Sequence, residues 1–337
     1  MKLSLGIIGL PNVGKSTLFK ALTKQEVNIA NYPFTTIDPN VAVVPVEDER
    51  LEKVAALSHP EKILPAVIEF VDIAGLVKGA NKGEGLGNQF LAQIRETNAI
   101  IQVVRCFENS DVAHLEGNIN PLRDIDIINT ELILKDLETI QKRKEKIKRE
   151  AQSGNKELKS EFNLLEKIEK ILNSGKLLVS ELSEQEINDP ILKNLFLLTA
   201  KKQIYLLNGP QQSISSELIK KIESLKSEFF VANLSQNPQL TPLIKKAYQT
   251  LNLITFFTIV GEKEARAWAL KKGTSMIEAA GIIHSDFQEK FIKAEVINWQ
   301  KLLEAGGWHK AREKGWIATE GKDYLVQDGD VVVIKHR

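Results

Sequence analysis

One short run limits what this chain can fold into more than any other: Gly9, four further residues, then Gly14, Lys15 and Ser16, within GLPNVGKS. It fits G-x-x-x-x-G-K-[ST], with the apolar run Leu3 to Ile8 before it and a helical pattern from Ser16 to Lys24 after it. A strand, a glycine-rich loop and a helix start, in that order, make a cradle for phosphate. Gly14 allows close backbone approach, and successive N–H groups along Val13 to Thr17 surround the anion with the helix N-terminus. Lys15 places positive charge on the β- and γ-phosphates, where it also assists catalysis, and the Ser16 hydroxyl ligates magnesium.

The remaining apolar runs agree with that start. Val41 to Val44, Ala66 to Val71, Ala99 to Val104, Gln203 to Leu207 and Phe229 to Val231 read as buried strands. Helical stretches such as Glu84 to Thr97 and Ser216 to Ser227 lie between several of them, which predicts an α/β fold with a doubly wound, mostly parallel sheet. The segment 128–199 differs: Ile133, Leu137, Ile140 and Ile147 step at heptad-like spacing, with Lys144 at one seam position. A second stripe, Leu158, Phe162, Leu165, Ile168 and Leu172, follows Ser153-Gly154-Asn155, so an inserted antiparallel helical hairpin is expected. From residue 253 to 337 the texture is that of a small mixed domain: ITFFTIV, ARAWAL and KAEVINW as strands, SMIEAAGIIHSDF as a helix, and two short strands around Asp328-Gly329-Asp330. The nucleotide domain is then 1–127 plus 200–252.

A nucleotide switch needs groups that feel the γ-phosphate. Asp72-Ile73-Ala74-Gly75 ends an apolar run, the place for a D-x-x-G element: Asp72 would hold magnesium through water and the Gly75 N–H would sense the γ-phosphate. Thr35 and Thr36 share the loop NYPFTTIDPN, and one of their hydroxyls is placed to close on the metal; a pair capping a turn is the plainer reading. Leu76 follows Gly75 and cannot orient an attacking water as a glutamine would, so slow hydrolysis is expected.

At these residues the chain resembles the Obg-like ATPase (YchF) family of translation-factor-class P-loop proteins. The resemblance is carried by GLPNVGKST, NYPFTTIDPN, FVDIAGLVKGANKGEGLGNQFLAQIRET, VVRCFEN and INTEL, and returns in ARAWALKKG, AAGIIHSDF, FIKAEVI and EGKDYLVQDGDVV, so it spans nearly the whole chain. It implies a C-terminal TGS domain of β-grasp type, Thr36 as the magnesium ligand, and Asn12 as support for a potassium ion beside the phosphates. It also implies that His114 stands in for the missing glutamine; a surface imidazole is the alternative. Where the family carries N-x-x-E, this chain has Asn208-Gly209-Pro210-Gln211. Asn208 is retained as a nucleotide-binding residue, yet neither a guanine-reading lysine nor a carboxylate is present, which favours ATP over GTP.

The implied function is a ribosome-associated, magnesium-dependent ATPase that hydrolyses slowly and switches with nucleotide state in translation or stress response, with the large subunit as partner. Two alternatives stand beside it: an Obg-type GTPase of ribosome assembly, and a ribosome-binding adaptor with little nucleotide dependence. The run KRKEKIKR, Lys142 to Arg149, reads first as a solvated helix face and second as an RNA-facing arm. A net charge of +1 gives no global field toward DNA or membrane. The single cysteine, Cys106, reads as a buried, inert thiol in a reducing cytoplasm, and no apolar run has the length of a membrane span.

Overall fold

The computed structural model describes residues 3–26, 32, 38–73, 93–108 and 118–337. In chain order, β1 (Ser4–Ile8), α1 (Lys15–Thr23), β2 (Val41–Val46), α2 (Glu49–Ala55), β3 (Lys62–Leu64), β4 (Ala66–Asp72) and β5 (Ala99–Arg105) come first. Helices follow: α3 (Pro121–Gln152), α4 (Lys156–Asn173), α5 (Leu178–Glu181), α6 (Glu184–Ile187) and α7 (Pro190–Leu195). Then come β6 (Gln203–Asn208), α8 (Ser216–Ser224), β7 (Glu228–Ala232) and α9 (Thr241–Thr250). The chain ends with β8 (Leu253–Val260), β9 (Glu264–Lys271), α10 (Met276–Ile283), α11 (Ser285–Glu289), β10 (Phe291–Asn298), α12 (Trp299–Ala305), α13 (Trp308–Glu313), β11 (Ala318–Glu320) and β12 (Asp330–His336).

Among the described residues the strands form two six-stranded sheets, ordered β2-β4-β1-β5-β6-β7 and β11-β10-β12-β8-β9-β3. In the first, β1 with β5, β5 with β6 and β6 with β7 are parallel, as the doubly wound reading predicts. Every residue of β1, β5 and β6 is buried. Parallel strands covered on both faces need such continuous apolar runs. The chain divides into two compact units, residues 4–22 with 70–239, and residues 1–3, 23–69 and 240–337, so the cut passes through β4.

In the first of these units, Asn120 caps α3 by accepting from the Arg123 N–H, with Pro121 at its first position. Ile133, Ile140 and Ile147 of α3 form one buried cluster with Leu165, Ile168 and Leu172 of α4, the two expected stripes. Gly154 at φ 102 makes the turn, and Asn155 caps α4 from the Glu157 and Leu158 N–H groups. Lys144, expected in the seam, reaches Glu169 Oε2 at 2.6 Å and lies 5.1 Å from the Phe162 ring centre. Its stem packs while its charge is paired. Arg143 makes a bidentate pair with Glu161 at 2.6 and 2.9 Å, so two members of the basic run serve the hairpin itself. The short helices α5, α6 and α7 complete the cluster and were not foreseen as separate elements.

The other unit holds the second sheet, in which β8–β9 and β10–β12 are antiparallel while β12–β8 and β3–β9 are parallel. This is the C-terminal mixed β/α part. The pair of strands expected around Asp328-Gly329-Asp330 is not formed. Asp330 instead accepts from the Gln327 N–H and the Tyr324 hydroxyl, which folds residues 324–329 into a turn ahead of β12. Among the described residues no helix is long and apolar enough to cross a membrane.

Candidate functional site

β1 ends at Ile8 and α1 begins at Lys15, so the phosphate-loop motif occupies the strand-to-helix turn. Asn12 sits at φ 62 and Gly14 at φ 108, backbone values that asparagine and glycine tolerate best. A Cβ on Gly9 would lie 2.6 Å from the Val103 carbonyl oxygen, and one on Gly14 would lie 2.4 Å from Asn208 Nδ2. The two motif glycines are therefore required by close approach as well as by dihedral angle.

Lys15 curls back over the loop, donating from Nζ to the Gly9 and Leu10 carbonyls at 3.0 and 2.8 Å. Burial lowers its pKa below 10.5 and the charge of Asp72 partly restores it; burial likewise raises the Asp72 carboxyl, and Lys15 partly pulls it back. Both groups thus carry charge in a setting that disfavours it, which an anion beside Lys15 or a cation beside Asp72 would relieve.

A cavity of about 380 Å³ opens here, lined by Asn12, Gly14, Lys15, Ser16, Thr17, Asn208 and three residues that follow β7. Among the described residues lining it there is no carboxylate. Val13 is buried beneath the loop, and its carbonyl accepts from Asn208 Nδ2 at 2.8 Å. Asn208 Oδ1 in turn accepts from the Leu234 N–H at 3.1 Å. Asn208, only 3% exposed, therefore ties the phosphate loop to the segment after β7 and acts on the cavity through its backbone walls. Gln211 stands on an exposed 3-10 turn, Gln211–Ser213, outside the cavity lining. Thr35, Thr36, Gly75, Leu76 and His114 lie outside the described residues.

Four lining residues were not foreseen: Phe107, Asn233, Leu234 and Ser235. Their signal was position, since Arg105 ends β5 and Ala232 ends β7, and ligands of open α/β sheets bind beyond the carboxyl ends of the strands. Phe107 is held by Arg105, whose Nε donates to the Phe107 carbonyl at 3.1 Å while the guanidinium lies 4.6 Å from the ring centre. A second cavity, about 630 Å³, shares Phe107, Asn233 and Ser235 with the first and continues past Pro210 and Cys106. The Cys106 thiol is pushed up to about 12 by burial and then by Asp124, which fits the inert role expected of it.

The donor chemistry suits the expected ions. Ser16 and Asp72 offer a hydroxyl and a carboxylate, the hard oxygen ligands of magnesium, and the Asn12 amide offers a neutral oxygen of the kind potassium takes. No group of three or more His, Cys, Asp or Glu side chains placed to hold a metal ion occurs among the described residues.

Comparison with known proteins gives two family models. One, described as a 50S ribosome-binding GTPase, matches residues 4–146; the other, YchF-GTPase_C, described as a protein of unknown function (DUF933), matches residues 253–337. The chain is 45% identical over 99% of both lengths to "Ribosome-binding ATPase YchF" of Mycoplasma genitalium. The chain belongs to the YchF family. The YchF protein of Bacillus subtilis, which bears the same name, is 43% identical over 98% of each chain. A solved YchF structure, "Structure of the Schizosaccharomyces pombe YchF GTPase", superposes with a TM-score of 0.85 at 34% identity, covering 99% of this chain and 98% of that one.

Proposed function

We propose that this YchF-family chain is a ribosome-associated P-loop ATPase that binds and slowly hydrolyses ATP, switching with nucleotide state in translation or stress response in the cytoplasm. The observation that carries the reading is the cavity at Lys15, bounded by the phosphate loop and by the Asn208-tied segment after β7. Lys15 and the N–H groups from Val13 to Thr17 hold the phosphates. Ser16, Thr36 and, through water, Asp72 would hold magnesium, which neutralises charge on the phosphate oxygens when bound. Asn12 would support a potassium ion, the Gly75 N–H would sense the γ-phosphate, and His114 would orient the attacking water that Leu76 cannot.

The base preference rests on the run Asn208-Gly209-Pro210-Gln211, which carries no guanine-reading carboxylate, and on there being no acidic residue among the described walls of the cavity at Lys15; Glu108 lines the adjoining cavity. Guanine recognition by charge needs a carboxylate for its N1–H and exocyclic amine. The names of the bacterial relatives also support ATP and the ribosome, and the description of the N-terminal family model supports the large subunit. That same description, and the name GTPase borne by the fission-yeast protein, favour a second reading as an Obg-type GTPase. Titration with ATP and GTP in magnesium, with and without potassium, separates the two: ATP is expected to bind about tenfold more tightly. Tighter binding of GTP overturns the ATP assignment.

A further inference from the structure

Asp72, whose charge acts on Lys15, ends β4, and Ile73 after it is fully buried with its N–H donating to the Ile7 carbonyl at 3.3 Å. Gly6 of β1 carries this packing onward. A Cβ there would lie 2.6 Å from Ile73 Cδ1 and 3.2 Å from Thr97 Oγ1, so both side chains rest on the same bare point of the strand. Thr97 is itself buried and closes the helical turn 93–96, its Oγ1 donating to the Ile94 carbonyl at 2.8 Å.

That turn is tied to the helical hairpin at two points. Lys201, two residues before β6, donates from Nζ to the Arg95 carbonyl at 3.1 Å and to the Thr97 carbonyl, a cation on the open carbonyls of a helix C-terminus. Arg95 reaches the other way. Its Nη2 donates to Thr139 Oγ1 of α3 at 2.7 Å, and its charge acts favourably on Asp136, three residues earlier on the same helix face. Asp136 in turn accepts from the Leu198 and Thr199 N–H groups at 2.9 and 2.8 Å. The ties therefore close into a circuit: α3 to Arg95, the turn to Lys201, and Thr199 back to Asp136 of α3. A lone exposed ion pair yields to solvent and transmits little, whereas a circuit closed through a buried carboxylate cannot be displaced at one point without breaking a bond at another.

We propose that this circuit couples the nucleotide site to the helical hairpin, so that the hairpin base tightens when a triphosphate engages the Asp72 side of the site and relaxes with the diphosphate. The proposal rests on the nucleotide reading of the cavity at Lys15. Asp72 and Ile73 cannot rearrange without meeting Thr97 over Gly6, and Thr97 cannot move without drawing on Lys201 and Arg95. Packed side chains and hydrogen-bond networks of this kind are what carry coupling between separate sites. Arg95 is a positioning residue here, acting through Thr139 and Asp136. By linkage, a partner that holds the hairpin base tightens triphosphate binding by the same factor that the triphosphate tightens the partner.

Hydrogen exchange read by mass spectrometry on the full chain tests this, with non-hydrolysable ATP and GTP analogues and with each diphosphate. Slowed exchange across 9–18 reports an occupied phosphate loop, and exchange at 132–140 and 198–201 reports the hairpin base. The triphosphate that occupies the loop should slow exchange at the hairpin base by about threefold or more, while its diphosphate protects the loop alone. In Arg95→Met the loop should still be protected, but exchange at the hairpin base becomes the same with and without triphosphate. Thr139→Val keeps the side-chain volume and the arginine, and should show the same loss of contrast if Arg95→Met fails to fold. A purely structural tie would speed exchange equally in both states and preserve the parent's ratio, which overturns the proposal. Equal slowing by diphosphate and triphosphate overturns it too, as does an occupied loop with an unchanged hairpin base. If no nucleotide protects the loop, the nucleotide reading falls and the proposal falls with it.

Discussion

Asn208 shows how a residue can belong to a nucleotide site without facing the nucleotide. Its amide donates to Val13 O and accepts from Leu234 N; Leu234 lines the cavity, and Val13 lies in the phosphate loop between the lining residues Asn12 and Gly14. The donor and acceptor requirements of those two backbone groups also fix which way the amide points. Replacing Asn208 by alanine leaves a buried carbonyl and a buried N–H unserved, each costing about 1–3 kcal/mol. Asn208→Ala should therefore weaken ATP and GTP by the same factor, tenfold or more, because it loosens walls common to both. Titration with each nucleotide checks this; a loss confined to one base would show that Asn208 reads the base directly. The sequence motif singles out this residue, and it does line the cavity, whereas its bridging role depends on Leu234, a partner 26 residues away on a segment with no motif of its own.

At the scale of elements, the hairpin of α3 and α4 is anchored by a buried carboxylate. Asp136 is fully buried on α3, and its oxygens accept from Leu198 N at 2.9 Å, Thr199 N at 2.8 Å and Thr199 Oγ1 at 2.6 Å. Burial raises its pKa, and the three donors from Leu198 and Thr199 pull it back. The chain is thereby pinned where it leaves the helices for β6. Asp136→Asn keeps the volume but turns an NH2 toward at least one of those donors, so it should cost about 1–3 kcal/mol in denaturant unfolding. A variant as stable as the parent would rule out the anchoring role. The hairpin itself was legible because heptad-spaced isoleucines and a Ser-Gly-Asn turn are local signals. Asp136 was not, since an acid on an amphipathic helix reads as solvent-facing until Thr199 is brought to it. For the same reason β3 went unread: Lys62 and Ile63 are exposed, and its pairing with β9 joins residues about two hundred positions apart. The expected strand at 324–327 failed in the opposite sense, because Asp330 draws its own chain into a turn.

At the scale of the whole molecule, the chain contributes to each compact unit more than once, and residues 23–69 belong with the C-terminal strands. Arg50 of α2 shows what holds that unit together. It pairs with Asp48 at 2.7 Å and with Asp328 at 2.7 Å, and its guanidinium lies 5.5 Å from the Phe257 ring centre. Asp328 also accepts from Thr255 N at 2.9 Å, so one carboxylate links α2, β8 and the turn before β12. The hydrogen bonds to Asp48, then those to Asp328, raise the guanidinium pKa, but Asp328 is half exposed and solvent screening reduces what its pair contributes. Arg50→Met keeps much of the packing on Phe257 and removes the charge, and should cost about 1–2 kcal/mol in chemical unfolding. The described residues that line the phosphate-loop cavity all belong to the other unit, so ATP affinity should stay within about twofold of the parent in the folded baseline. A large loss of affinity in the still-folded variant would mean that the two units share one cooperative structure, and that the nucleotide site is set by packing in both.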